Sequence, residues 1–280
     1  MRYHYYYCCR HRSELVAFLE SNGIPYRLSG GDITPLVVVF GIRIPAGTVS
    51  SVINALRDHF HEQPIVSAEY TPGELAAAEW LFMTPQKQRI NIINAEEAYR
   101  YSCTRTHPFI GETAKHAEQI GIFTIAKEPA MNTKTAFWAE DTGFAEVFAD
   151  WRVRKLAEEN GLSGVEFRDV MLRSGEPSAK LYQMTSANVL PLEAIACGHG
   201  EKAFRCPRCG KPGFQTDNAY QLHLHASYLR DNTDIYVTER IFGEGIAHSL
   251  YIISQRFYRL LVEHQLAGSV TFSPVVENEN

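Results

Sequence analysis

The stretch Phe144–Val170 reads FAEVFADWRVRKLAEENGLSGVEFRDV, and Tyr251–Val275 reads YIISQRFYRLLVEHQLAGSVTFSPV. The two stretches share a spacing of residues. The matched pairs are Arg152 and Arg256, Leu156 and Leu260, Glu159 and Glu263, Leu162 and Leu266, and Gly164 and Gly268, followed after a one-residue slip by Phe167 and Phe272 and by Val170 and Val275. Internal repetition of this kind points to a repeated structural unit.

Each stretch predicts an apolar strand, a capped helix, a glycine turn and a second strand. Asp150 and Ser254 occupy equivalent positions and are both good N-cap residues. In each helix the leucine follows the arginine by four residues, so the two side chains lie on neighbouring turns. The leucine can then face the sheet while the arginine lies at its margin. Leu156 and Leu260 are therefore predicted to be buried at equivalent positions. The first helix ends naturally at Asn160-Gly161. The second has Gln265 where a glycine would be expected.

The chain is predicted to be an α+β protein with two domains. Residues 1–70 show the order β-α-β-β-α-β, which is that of a ferredoxin-like unit, with helices over Glu14–Glu20 and Val49–Phe60. Residues 71–280 are predicted to form a second α+β domain, which contains the repeats 144–170 and 251–275. A structural zinc site is predicted to stabilise this domain. A length of 280 residues is compatible with two domains of ordinary size.

Composition points to a soluble globular protein. Hydrophobic residues make up 45% and charged residues 21% of the chain, and the net charge is −5. An acidic balance argues against a duplex-DNA-binding protein, which usually presents a basic face. The start of the chain lacks the apolar run of a signal peptide, and no stretch reaches the length of a membrane helix, so we expect a cytoplasmic protein without a membrane partner. The six cysteines are then expected to be thiols or metal ligands rather than disulfides.

The sharpest local motif is Cys206-Pro-Arg-Cys209-Gly210. Two cysteines three residues apart on a tight turn can bind one ion, and a structural zinc site needs four such ligands. The second pair is predicted to be Cys103 and His107, which form a C-x3-H pair. Two alternatives remain open. Cys197 and His199 form a C-x-H pair whose two ligands are separated by a single residue, which leaves little room for both to bind one ion. His223 and His225 are alternate residues of a predicted strand and so point to the same face.

No catalytic motif is found in the sequence. It contains no nucleophile elbow, no phosphate-binding P-loop and no dinucleotide-binding glycine pattern. We therefore expect a binding protein rather than an enzyme. A nucleic-acid-binding zinc protein is the alternative, and it would need a basic surface around Arg205, Arg208 and Lys211.

The C-terminal two-thirds, about residues 95–276, resembles the double-CXXCG-motif proteins and related bacterial immunity proteins of polymorphic toxin systems. The matching segments are Cys103, Glu118–Gly121, Lys127–Pro129, Val147–Val170, Cys206–Gly210, Ile252–Leu261 and Phe272–Val275. This sequence departs from the family pattern because it has only one clear C-x-x-C-G. The resemblance implies a binding protein with structural zinc, whose partner would be a cognate toxin.

Overall fold

The computed structural model describes residues 2–9, 12–21, 23, 26–28, 38–44, 65–86, 89–107, 111–140, 144–196, 202–215, 222–242 and 246–278. The chain divides into two compact units. The smaller unit comprises Met1–Leu75 and Asn218–Gln221, the latter outside the described residues, and the larger comprises Ala76–Asp217 and Leu222–Asn280. Both contain helices and strands, and the prediction of an α+β protein is confirmed.

The smaller unit contains one four-stranded antiparallel sheet. Its elements are β1 (Arg2–Cys9), α1 (Arg12–Ser21), β2 (Tyr26–Leu28), β3 (Val38–Ile44) and β4 (Ile65–Glu69). The strand order is β2-β3-β1-β4, and each neighbouring pair is antiparallel. The predicted helix over residues 49–60 lies outside the described residues, so the ferredoxin-like arrangement stays a prediction. A short helix, α2 (Pro72–Ala77), spans the boundary between the units.

The larger unit is built mainly from two six-stranded sheets. The first contains, in spatial order, β6 (Arg89–Ile90), β10 (Phe137–Glu140), β11 (Val147–Asp150), β13 (Pro177–Ser186), β12 (Val165–Leu172) and β9 (Thr124–Ile125). The second contains β14 (Val189–Leu190), β18 (Ile235–Thr238), β19 (Tyr251–Ser254), β5 (Trp80–Pro85), β20 (Val270–Asn278) and β17 (Leu222–His225). The helices of this unit are α3 (Ala95–Ala98), α4 (Trp151–Glu159) and α5 (Gln255–Glu263).

The two sheets follow the same order of pairings. From one edge to the other, neighbouring strands are parallel, antiparallel three times, and then parallel. The residues paired across the fourth strand are Val147, Met184 and Phe167 in the first sheet and Tyr251, Met83 and Phe272 in the second. Val147 and Tyr251 are equivalent positions of the sequence repeat, and so are Phe167 and Phe272. The strands that pair with them, β13 and β5, are therefore equivalent.

The duplication therefore spans residues 80–172 and 177–278, far beyond the two stretches predicted from sequence. Each repeat places its first strand in the sheet of the other repeat, since β5 lies in the second sheet and β13 in the first. After its second strand, each repeat also inserts a two-stranded hairpin. These hairpins are β7 (Tyr99–His107) with β8 (Gly111–Gln119), and β15 (Lys202–Arg205) with β16 (Pro212–Gln215).

Each sheet covers its own hydrophobic core. The first core is centred on aromatic side chains that are almost fully buried, among them Tyr99, Phe123, Trp138 and Phe148. The second is formed around Trp80, Phe214, Tyr236, Phe242 and Ile252. Among the described residues, none of the helices combines the length and apolar character needed to cross a membrane.

Both predicted N-caps are confirmed. The Asp150 carboxylate accepts hydrogen bonds from the backbone N–H groups of Arg152 and Val153, and the Ser254 hydroxyl accepts one from Phe257 N–H. These side chains satisfy donors that the first helical turn leaves without partners. The two segments thus form the predicted strand, helix and second strand.

The predicted burial of the two matched leucines is correct for Leu156 and wrong for Leu260. Leu156 is 3% exposed, whereas Leu260 is only partly buried. On α5 the core positions are taken by Phe257 and Leu261, which are fully buried and lie four residues apart. Phe257 and Leu261 are larger than Val153 and Ala157, which occupy the equivalent positions of α4. Because they form the centre of the apolar face of α5, Leu260 lies at its margin.

Both helices end in the same left-handed turn. In α4, Leu162 N–H donates to Ala157 O and Gly161 N–H to Glu158 O, and the corresponding bonds in α5 start from Leu266 and Gln265. This pair of bonds is the Schellman motif. The φ angle is 58° at both Gly161 and Gln265, so glutamine adopts a conformation that normally favours glycine.

Replacing Gln265 with glycine is expected to raise the free energy of unfolding by about 1 kcal/mol, because glycine adopts a positive φ without steric cost. Gly161→Ala should lower it by a similar amount, since a Cβ at Gly161 meets no atom within 4 Å and only backbone strain changes. Urea unfolding of both variants measures the effect. Equal stability of the variants and the wild type would contradict the interpretation.

Candidate metal centre

Four side chains from the two inserted hairpins meet in the larger unit. They are Cys103, His116, Cys206 and Cys209, and their ligand atoms all lie within 4.8 Å of one another. We call this group the Cys3His cluster. The first hairpin supplies Cys103 and His116, and the second supplies the two remaining cysteines. Each repeat thus contributes two potential ligands from an equivalent insertion.

The register of the first hairpin brings Cys103 and His116 together. The two residues are direct cross-strand partners, and the ladder is irregular on either side of Cys103. Directly opposite side chains lie on the same face of a hairpin about 5 Å apart, and an irregularity of this kind re-aims a side chain. Cys103 Sγ consequently lies 3.0 Å from His116 Nδ1.

A tight turn positions the two cysteines of the second hairpin. Gly210 N–H donates to Cys206 O at 2.8 Å, and Cys206 N–H donates to Lys211 O at 2.8 Å. Gly210 has a φ of 71°, in the left-handed region where glycine is favoured. The turn directs both sulfurs towards the first hairpin, with Cys209 Sγ 3.4 Å from His116 Nδ1.

The separations resemble those around a tetrahedral metal ion. Cys103 Sγ and Cys206 Sγ are 3.8 Å apart, and a tetrahedron with metal–sulfur bonds of about 2.3 Å has edges of about 3.8 Å. The corresponding sulfur–nitrogen edge is about 3.5 Å, close to the contact between Cys209 and His116. The contact between Cys103 and His116 is about 0.5 Å shorter than that edge. The cluster could therefore hold a metal ion after a small adjustment.

Burial and neighbouring groups shift the pKa values of Cys103, Cys206 and His116. Burial raises the pKa of the Cys103 thiol to about 11, with smaller contributions from hydrogen bonds to Cys209 and Cys206 and from the charges of these thiols. For Cys206 burial acts in the same direction, but hydrogen bonds from the backbone N–H groups of Cys209 and Arg208 outweigh it and lower the pKa to about 7. Burial also lowers the pKa of His116, as do the charges of Lys115 and Lys211, which favours the neutral imidazole that a metal needs.

Contacts outside the cluster join the two hairpins. Arg208 donates to Thr104 O at 3.0 Å and forms an ion pair with Glu112 at 3.3 Å. Lys115 Nζ lies 5.3 Å from the centre of the Phe204 ring. The ion pair is exposed and contributes little by itself. These contacts hold the ligand-bearing hairpins next to each other.

Three of the four predicted ligands, Cys103, Cys206 and Cys209, lie in the cluster. The fourth member is His116, which is not among the ligands predicted from sequence. His107 belongs to β7, where its backbone pairs with Gly111, but its side chain lies outside the described residues. A hairpin turn predicted before Gly111 would not have indicated His116, because equidistance from the turn pairs Cys103 with Lys115. Only the irregularity at Cys103 brings His116 opposite it.

The two alternative ligand pairs have different outcomes. Cys197 and His199 lie outside the described residues. His223 and His225 belong to β17, which pairs with β20 at the edge of the second sheet, and they are not members of the cluster. No protein-family model matches the chain, and no curated protein matches it either.

Proposed function

We propose that the Cys3His cluster holds one structural zinc ion in a non-enzymatic binding protein. The observation that carries the proposal is the convergence of four ligand atoms within 4.8 Å from two separate hairpins. Three thiolates and one imidazole form a known structural zinc set, and four protein ligands leave no open coordination position for substrate. Zinc bound there would join the two repeats and contribute directly to folding free energy.

Elemental analysis of protein purified without added metal tests the proposal. We expect one zinc per chain. Exchange for Co²⁺ should give the absorption spectrum of a tetrahedral, thiolate-rich site. Protein that contains no zinc and takes up neither Zn²⁺ nor Co²⁺ would refute it.

The proposed binding surface is an exposed apolar patch beside the first hairpin. It consists of Ile93, Tyr101, Ile120 and Ile122, whose exposed fractions are 39%, 41%, 56% and 56%. Two hydrogen bonds join the segments that carry the patch, from Asn94 Nδ2 to Ile122 O and from Ile120 N–H to Ala98 O. Exposed apolar residues grouped in this way are typical of protein-binding sites.

The charge around the apolar patch suggests the kind of partner. Glu96 and Glu97 are exposed on α3 next to the patch, and the chain as a whole carries a net charge of −5. Acidic surfaces select partners with basic surfaces and accelerate their association. Together with the resemblance to immunity proteins, this charge supports a cognate toxin with a basic binding face as the partner. The protein would bind that toxin in the cytoplasm.

Co-expression with the product of the neighbouring upstream gene tests this partner. If that product is toxic, we expect the protein to restore growth, and Ile120→Asp with Ile122→Asp to weaken binding by at least about tenfold. Val262→Asp is a matched control, because Val262 is 47% exposed and lies on α5, which carries none of the patch residues. Equal binding by the patch variant and the control would refute the patch. Failure to restore growth in the presence of a toxic neighbour would refute the immunity role.

The alternative of nucleic-acid binding rests on the basic residues of the cysteine turn. Arg208 contacts Glu112 and Thr104, and Arg205 donates to Gly210 O at 3.1 Å. Because these contacts compete with phosphate for the guanidinium groups, we prefer the protein partner. For the smaller unit, the order of its four described strands supports the proposed ferredoxin-like arrangement.

A further inference from the structure

A groove of about 700 Å³ runs between the two repeats of the larger unit. The first repeat contributes His116, Glu146 and Arg168 to its lining, and the second contributes Lys211, Arg240 and Tyr251. Small-molecule sites have volumes of about 300–1,000 Å³ and combine apolar walls with a few convergent polar groups. We call it the inter-repeat groove.

The buried acidic group in the groove lining already has its hydrogen-bond donors. Glu146 is 5% exposed and accepts from Gln183 Nε2 at 2.9 Å, from Tyr99 OH at 3.4 Å and from Tyr251 OH at 3.5 Å. Arg240 Nη2 donates to the same carboxylate. Four donors occupy the acceptor sites of one carboxylate, so Glu146 has little capacity to bind a further donor.

Arg240 retains one donor that no described residue uses. Its guanidinium lies 5.4 Å from the centre of the Tyr99 ring and 5.5 Å from that of Phe144, and these contacts fix its orientation. Nη1 is buried, yet no acceptor among the described residues is within hydrogen-bonding distance. A buried charged donor without an acceptor is destabilising. The positive charge of Arg240 is therefore only partly compensated where the side chain lines the groove.

Two further cations line the same groove. Arg168 and Lys211 form neither an ion pair nor a side-chain hydrogen bond with another described residue. The other acidic groups of the lining already have partners, since Glu118 pairs with Arg100 at 2.7 Å and Glu239 accepts from Leu192 N–H at 3.3 Å. The groups able to engage a ligand are therefore mainly positive or hydrogen-bond donors.

We infer that the inter-repeat groove binds a small molecule bearing an oxyanion, either a carboxylate or a phosphate. Arg168 and Lys211 donate to its oxygens and neutralise its charge, and the positive charge of Arg240 in the groove lining adds to this attraction. Arginine suits this task because its planar donors match carboxylate and phosphate oxygens. The ligand binds to side chains rather than to a metal ion, although the proposed zinc ligand His116 also lines the groove.

Isothermal titration calorimetry at constant ionic strength tests the inference by measuring anion binding. Sodium phosphate and sodium succinate are titrated separately into the full-length protein. We expect at least one anion to bind with a Kd below about 1 mM. Binding of phosphate alone would identify a phosphate-bearing ligand, and binding of succinate alone a carboxylate-bearing one. If neither anion binds, the inference is wrong.

Variants locate the binding in the groove. Arg168→Gln combined with Lys211→Gln is expected to weaken it at least about tenfold, whereas Arg173→Gln, which removes an exposed charge outside the groove, should leave it unchanged. The double variant spares the buried ion pair of Arg240 and Glu146, so it is expected to fold. An unchanged melting temperature checks that the double variant retains the wild-type fold. Equal affinity of the double variant and the wild type would overturn the assignment.

Discussion

Replacing Cys206 with serine is expected to abolish zinc binding and to destabilise the larger unit by more than about 5 kcal/mol. A structural zinc site contributes its binding free energy to folding, about 10–16 kcal/mol in zinc-finger peptides, and loss of one thiolate forfeits much of it. Cys206 is 4% exposed, so serine also places a hydroxyl in a buried position, at a cost of about 1–3 kcal/mol. At about 2–4 °C per kcal/mol, the melting temperature should fall by at least about 10 °C.

Metal analysis and thermal unfolding of Cys206→Ser measure these effects. The control is Cys8→Ser, which changes the same residue type in β1 of the smaller unit and should retain one zinc per chain. Comparable melting shifts for the two variants would show that the thiol is not a ligand.

The identity of the fourth ligand is decided by a pair of histidine variants. His116→Ala should lose zinc because its Nδ1 lies 3.0 Å from Cys103 Sγ, whereas His107→Ala should retain it. Cys197→Ser should also retain zinc. Loss of zinc on replacement of His107, with retention on replacement of His116, would restore the ligand set predicted from sequence.

Leu261→Ala is expected to lower the free energy of unfolding by about 2–5 kcal/mol, because a buried leucine truncated to alanine loses its transfer free energy and leaves a cavity. Leu261 is fully buried on α5. Leu260→Ala is the matched control, since it makes the same chemical change one residue earlier on the same helix. We expect less than half the effect there, because Leu260 is only partly buried.

Urea unfolding of the two variants measures the difference. An equal or larger loss at Leu260 would mean that the core-facing side of α5 has been assigned incorrectly. Leu156→Ala in the first repeat should resemble Leu261→Ala, as Leu156 is 3% exposed.

The repeated helices could be predicted from sequence because their determinants are local. An N-cap at Asp150 or Ser254 and the spacing of apolar residues along the helix act within a few residues of the chain. The same holds for the cysteine turn, where the spacing of Cys206 and Cys209 and the following glycine determine the geometry. Local signals also identified Cys103 as a candidate, although not its partner on the opposite strand.

Only the tertiary structure revealed the full duplication and the composition of the metal centre. Strand exchange places β5 in the sheet of the second repeat, and such a pairing depends on contacts between residues about 170 positions apart, such as Met83 with Tyr251. His116 joins Cys103 through the register of a hairpin, which irregularities near Cys103 modify. The sequence by itself thus determined the helices, their caps and the cysteine turn. Which strands pair, which histidine completes the cluster and which helix face is buried were decided by packing, because these features depend on residues that the chain brings together only when it folds.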